Sequence, residues 1–164
     1  MSGRPEDDYI DRVGFREVRI EGKDILVNGE KIYLKGFNRH EDYATVGCAI
    51  PFQLMVQDMD LMQEMNANAV RTCHYPNDER FLDLCDERGM YVWEENHARG
   101  FGLERMQNPN FDVQCRDCID EMIGNHFNHP SIIIWGILNE CASETEEGRE
   151  KYARQYAQIR SLDS

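Results

Sequence analysis

The sequence has no stretch rich in lysine or arginine, and its 18 Lys and Arg against 31 Asp and Glu leave a formal charge of −13. A chain of that sign repels phosphate backbones and anionic lipid surfaces, which argues against nucleic acid and membrane partners. No window approaches the ~18 consecutive apolar residues of a spanning helix, and residues 1–12 are polar, without the apolar segment of a secretion signal. A cytoplasmic location is the resulting expectation. There is no repeat of fixed period and no glycine-rich phosphate loop after the first strand of the alternating region, where Phe37-Asn38-Arg39-His40 stands instead. The six cysteines are scattered among periodic apolar segments rather than concentrated in a small loop-rich chain, so they read as reduced thiols.

What is present is a globular composition, 41% hydrophobic and 30% charged, in an alternating pattern. Residues 15–20 and 25–27 carry β-formers. Asn28-Gly29 supplies the positive φ angles of a two-residue turn leading into residues 30–34, so a hairpin is expected. A strand over 32–37 follows. From Pro51 the period changes, with Met55, Met59 and Met62 on one helical face. Strand 69–73 comes next, then a helix capped by Asn77 and ended by Gly89, then strand 90–93. The spacing Phe111, Cys115, Cys118, Met122 predicts a helix that stops before His129-Pro130. Residues 131–138 form an apolar run suited to a parallel strand covered on both faces. Ser143 and Glu146 suggest a capping box before Tyr152, Tyr156 and Ile159 at helical spacing.

A hairpin followed by four β-α units implies right-handed crossovers and a parallel sheet. With phosphate loops absent, the α/β class narrows to a (β/α)8 TIM-barrel type. An eight-unit barrel takes about 250 residues, so this chain is read as a half-barrel, with residues 1–14 a linker or remnant and 15–164 the N-terminal half of the barrel domain.

Polar groups gather after each strand: Asn38, Arg39, His40 and Glu41; Arg71, His74 and Asn77; Glu94, Glu95, Asn96 and His97; Asn139 and Glu140. Such a mixture of donors and acceptors suits a hydroxyl-rich sugar, which also needs a carboxylic acid to protonate a leaving oxygen. Glu140, at the mouth of the most apolar strand, is the best candidate for a desolvated carboxyl of raised pKa. It could equally cap or solvate a loop.

Gly36-Phe37-Asn38-Arg39-His40-Glu41, the run from Asn68 through Arg71-Thr72-Cys73-His74-Tyr75-Pro76-Asn77, Leu84-Cys85-Asp86, and Asn128-His129-Pro130-Ser131 through Trp135 with Asn139-Glu140 together resemble the catalytic domain of glycoside hydrolase family 2, the β-galactosidase and β-glucuronidase group. The resemblance implies a retaining mechanism with Glu140 as acid/base. It implies that Asn139 binds the sugar 2-hydroxyl, that His40 and His74 contact the sugar or transition state, that Arg71 orients the nucleophile, and that Asn38 also binds substrate. Read from the residues alone, His40 and His74 could be structural, and Arg71 could form an ion pair with Glu94 or Glu95.

The departures matter too. The Glu and His that bind a divalent cation in some family members are not reproduced in Asn96-His97-Ala98-Arg99-Gly100-Phe101, so no metal or other cofactor is expected and His97 reads as structural. Cys115 and Cys118 fall on an apolar helix stripe and read as core rather than zinc ligands. The family's nucleophile is a second Glu on a later strand, for which Glu41, Glu94 and Glu95 are the only local substitutes. The expected function is therefore a retaining hydrolase of β-galactosides, carried here as a fragment with the acid/base but without the nucleophile and inactive by itself. β-Glucuronides or another substrate of the family, or a noncatalytic half-barrel that binds sugar weakly, are the alternatives. Unpaired edge strands would favour a homo-oligomer.

Overall fold

A computed structural model describes residues 8–164 of the chain. It opens with an antiparallel meander, β1 (Val18–Glu21), β2 (Asp24–Val27) and β3 (Glu30–Ile32), in the order β1-β2-β3. The Asn28-Gly29 turn takes φ of 52° and 81°. Both central residues are thus left-handed, as a two-residue hairpin turn requires. The Asn28 side chain also accepts a hydrogen bond from Glu17 N at 2.9 Å. The sequence expectation of one hairpin is extended here, because Gly22, at φ 64°, makes a second tight turn between β1 and β2.

The remaining elements alternate: β4 (Gly36–Arg39), α1 (Phe52–Glu64), β5 (Ala69–Thr72), α2 (Glu79–Arg88), β6 (Tyr91–Glu95), α3 (Leu103–Met106), α4 (Phe111–His126), β7 (Ile132–Gly136) and α5 (Glu146–Leu162). The four strands pair in parallel in the order β4-β5-β6-β7. This is the expected α/β half-barrel behind an antiparallel unit. Among the described residues, no helix is long and apolar enough to cross a membrane.

Several boundaries differ from the sequence expectation for local reasons. The strand expected over 32–37 starts at Gly36 instead. Asn68 takes Lys35 N on its side-chain oxygen at 2.7 Å, while Asn68 N and Ala69 N both donate to Lys35 O, so the chain joins the sheet only there. Gly36 is required at that junction, since a Cβ would lie 2.2 Å from Ala69 O. Helix α2 is capped by Asp78, whose carboxylate accepts from Arg80 N, and not by Asn77. The Asn77 carbonyl oxygen is occupied by Arg39 Nη1 at 3.1 Å. Helix α5 is capped by Thr145, which accepts from Gly148 N at 3.0 Å, rather than by the expected Ser143 and Glu146 box. The short α3 lies in a stretch whose periodicity gave no signal. Gly89 ends α2 in the left-handed conformation, as expected.

The main core lies between the outer face of the sheet and the helices. Met55, Met59, Phe81, Leu82 and Cys85 pack over Val70, Val92 and Ile132. A second cluster joins α4 and α5 through Ile119, Met122, Ile123 and Ile159. All six cysteines are free. Cys115 is buried in the core as expected, and desolvation pushes its thiol pKa up to about 12. Cys118 is only half-buried, also with a raised pKa from desolvation.

Two outcomes follow from this packing. Phe81 is fully buried and its ring carries the Arg39 guanidinium 3.9 Å above its centroid, so Phe81→Ala is expected to cost ~3–5 kcal/mol in denaturant unfolding. His129 Nδ1 lies 2.6 Å from Asp86 Oδ2. Burial pushes the His129 pKa down, but the hydrogen bond and charge of Asp86, with Asp83 and Glu94 adding to it, outweigh this and raise it. A raised folded pKa means that the pair's contribution is complete below the unfolded value of about 6.5 and is lost as pH climbs through the folded value. Thermal melts between pH 6 and 9 should therefore fall more steeply with pH for the wild type than for His129→Gln.

Candidate active site

Strand alternation decides which polar residues reach the inside of the barrel. Asn38, Arg71 and Trp93 are register partners across β4, β5 and β6, and all three line an apolar hollow of about 320 Å³ on the concave face, beside Ile134 of β7. Their neighbours point the other way. Arg39 is buried toward the helices, with Nε 2.9 Å from Asp58 Oδ2. Glu94 is fully buried on the same outer side, where Oε1 accepts from His126 Nδ1 at 2.9 Å and Asn77 N at 3.3 Å. Arg39 and Glu94, grouped with the strand-end set from sequence, therefore do not belong to the mouth.

Glu95 is the centre of the arrangement. Although buried, it receives Arg71 Nε on Oε1 at 2.5 Å and His74 Nδ1 on Oε2 at 2.7 Å. Its backbone N donates to Thr72 Oγ1 at 3.3 Å. Arg71 also sends Nη2 to Asn139 Oδ1 at 3.0 Å, and its guanidinium lies 5.0 Å from the Trp93 ring centroid. The alternative left open for Arg71 is thus resolved: its ion pair is with Glu95, and the same guanidinium holds Asn139. Because Arg71 occupies the Asn139 carbonyl oxygen, the amide orientation is set and its NH2 remains available as a donor.

His40 stands edge-on to His74 with ring centroids 5.3 Å apart, and its Nδ1 is 3.3 Å from the Tyr75 hydroxyl. That hydroxyl accepts from Glu41 N at 3.0 Å, and burial raises its pKa. Glu41 is turned to the α2 N-terminus, accepting from Asp78 N at 3.1 Å. Each local carboxylate considered as a substitute nucleophile is therefore engaged: Glu41 by Asp78 N, Glu94 on the outer side, Glu95 by Arg71 and His74.

Asn139 and Glu140 follow β7 on a segment tied to the loop after β6. Asn139 N donates to Ala98 O at 2.9 Å and Gly100 N donates to Asn139 O at 2.8 Å. Glu140 has φ 50° and an exposed side chain without a hydrogen bond to the described residues. The desolvated niche expected for it from sequence is a correction: the strand expected over 131–138 ends at Gly136, four residues before Glu140, and the segment that follows leaves Glu140 in solvent. Ile137 and Leu138, between them, are partly buried against the cluster of Met106, Phe111 and Tyr152. His97 is half-buried, with Nδ1 2.8 Å from Asn96 Oδ1, and its pKa is lowered by burial and then by Arg99.

Among the described residues, two groups of ligand-type side chains lie close enough to share a metal ion, with donor atoms within 4.8 Å of one another: His40, Cys73 and His74 at the mouth, and Asp83, Asp86 and His129 at the opposite end of the strands. Sequence reading missed Trp93 and Tyr75 as parts of the mouth. Trp93 was legible in principle, since it shares the parity of Arg71 across the register.

The model of the glycosyl hydrolases family 2 TIM barrel domain matches residues 18–164. A β-galactosidase of Alteromonas mediterranea is 40% identical over 144 residues, covering 85% of this chain and 14% of that protein. The β-galactosidase BgaC of Bifidobacterium adolescentis is 38% identical, covering 80% of this chain and again 14% of the relative. Among solved structures, a family 2 β-galacturonidase from Eisenbergiella tayi bound to galacturonate is 65% identical with a TM-score of 0.91, covering 93% of this chain and 28% of that one. A β-glucuronidase from Dictyoglomus thermophilum is 33% identical with a TM-score of 0.84, covering 92% of this chain and 28% of its own. The four β-α units thus have their counterpart in one family, and the chain belongs to glycoside hydrolase family 2 as a part of its TIM-barrel domain.

Proposed function

We propose that the chain carries the acid/base half of a retaining β-glycosidase acting on galacto-configured sugars, with β-galacturonides as the substrate class. The observation that carries the reaction is the Asn139-Glu140 segment, aligned by Arg71 from one side of the mouth, with Glu140 unpartnered and free to meet a leaving group. The sugar assignment rests on the 65% identity to a β-galacturonidase, supported by the β-galactosidases among the relatives. Galacturonate is galactose oxidised at C6, so both point to the same ring configuration.

In this reading Glu140 donates its proton to the glycosidic oxygen as the C1–O bond breaks. A carboxylate from residues outside this chain attacks C1 from the opposite face. Glu140 then removes a proton from the water that releases the glycosyl-enzyme. The Asn139 NH2 donates to the sugar 2-hydroxyl, a bond that strengthens as positive charge develops on the ring. His40 and His74 line the sugar from the β4 and β5 ends, Asn38 contacts it from the barrel floor, and Arg71 keeps Asn139 in place while presenting positive charge toward the nucleophile.

Two measurements test this in the intact protein that contains the chain. Glu140→Gln should lower kcat/KM by ~10²–10⁴ for poor leaving groups and much less for activated aryl glycosides, because only the former need protonation. Equal losses for both would remove Glu140 from the acid role. Among p-nitrophenyl β-glycosides, the galacturonide should give the highest kcat/KM, ahead of galactoside and glucuronide. A galactoside preference would return the assignment to β-galactosidase and leave the mechanism standing.

A further inference from the structure

We propose that His40, Cys73 and His74 form a binding site for a soft divalent cation, zinc by the nature of the donors, and that zinc held there blocks the sugar site. The strand register builds it. Arg39 pairs with Thr72 in the parallel β4–β5 ladder, so the next residues, His40 and Cys73, emerge side by side, and Cys73 N donates to Arg39 O at 3.1 Å. His74 follows immediately. The two imidazoles and the thiol have donor atoms within 4.8 Å of one another. A tetrahedral site with Zn–N of about 2.0–2.1 Å and Zn–S of about 2.3 Å needs donors roughly 3.3–3.6 Å apart. Small rotations of the exposed His40 ring suffice to close that difference.

A second observation favours a ligand. His74 Nδ1 lies 2.7 Å from Glu95 Oε2, and with Nδ1 as the donor in that bond Nε2 is the nitrogen left with a lone pair. A buried carboxylate behind a ligating histidine is the arrangement that orients imidazoles in zinc sites. His40 Nδ1 is likewise engaged by Tyr75, leaving its Nε2 open. Cys73 is 1% exposed. Zinc takes a cysteine as its thiolate, so binding releases the thiol proton. Three protein donors leave a fourth position for water or a substrate oxygen.

The blocking effect rests on the proposed sugar contacts of His40 and His74, whereas metal binding itself does not. The intact protein should therefore be titrated with Co²⁺ for spectroscopy and with Zn²⁺ for kinetics. Expected are one equivalent of Co²⁺ with a thiolate-to-cobalt charge-transfer band, and Zn²⁺ inhibition that raises apparent KM without lowering kcat. Cys73→Ser should abolish the band and weaken zinc inhibition by about tenfold or more, with metal-free hydrolysis essentially unchanged. His40→Ala, at an exposed position that does not threaten folding, should weaken Co²⁺ binding in equilibrium dialysis. A band that survives in Cys73→Ser, or equal zinc inhibition of wild type and Cys73→Ser, would overturn the site. If the protein hydrolyses no glycoside, the functional reading fails while the cobalt band still decides the metal site.

Discussion

A carboxylate withdrawn from water at the end of β6 governs the geometry of the mouth. Glu95 is fully buried, and an isolated charge there would cost several kcal/mol. The fold meets that cost with Arg71 from β5 and His74 just beyond it, two donors on the neighbouring strand. Once Arg71 is drawn to Glu95, its remaining nitrogen reaches Asn139 across the mouth. The pair therefore acts as a brace that passes position from β6 through β5 to the segment carrying Glu140. Rigidity of this kind matters in any binding or catalytic site, because contacts lose effect when displaced by an ångström or so.

The same brace distributes roles among adjacent carboxylates. Glu94 and Glu95 are neighbours in sequence yet lie on opposite faces of the sheet. One joins His126 in the helix layer and the other joins the mouth. Arg39 and Asn38 divide in the same way, the first stacked on Phe81 and paired with Asp58, the second lining the hollow. At these two strand ends one polar residue of each neighbouring pair thus ties the sheet to its helical jacket, and the other faces the mouth.

Cys73 sits where these two systems touch. It follows the outward-facing Thr72 and so points back toward the mouth, under His40 and His74. It is a buried thiol beside two imidazoles, the softest donor of the three.

The sequence by itself determined the order and kind of the elements. Met55, Met59 and Met62 at helical spacing, the apolar run at Ile132, Ile133 and Ile134, the Asn28-Gly29 turn and the Gly89 stop are local signals, and each acts within a few residues of itself. The motifs ending in His74 and in Asn139-Glu140 were enough to indicate the family. What only the tertiary structure decided are matters of register and facing: that β4 begins at Gly36 because Asn68 holds Lys35, that Thr145 rather than Ser143 caps α5, and that Glu140 stands in solvent rather than in a desolvated niche. The partner of Arg71 belongs with these. Glu94 and Glu95 are equivalent choices in a string of letters, and a period-two strand paired in one register presents only Glu95 to Arg71, because a shift of a single residue exchanges the two faces.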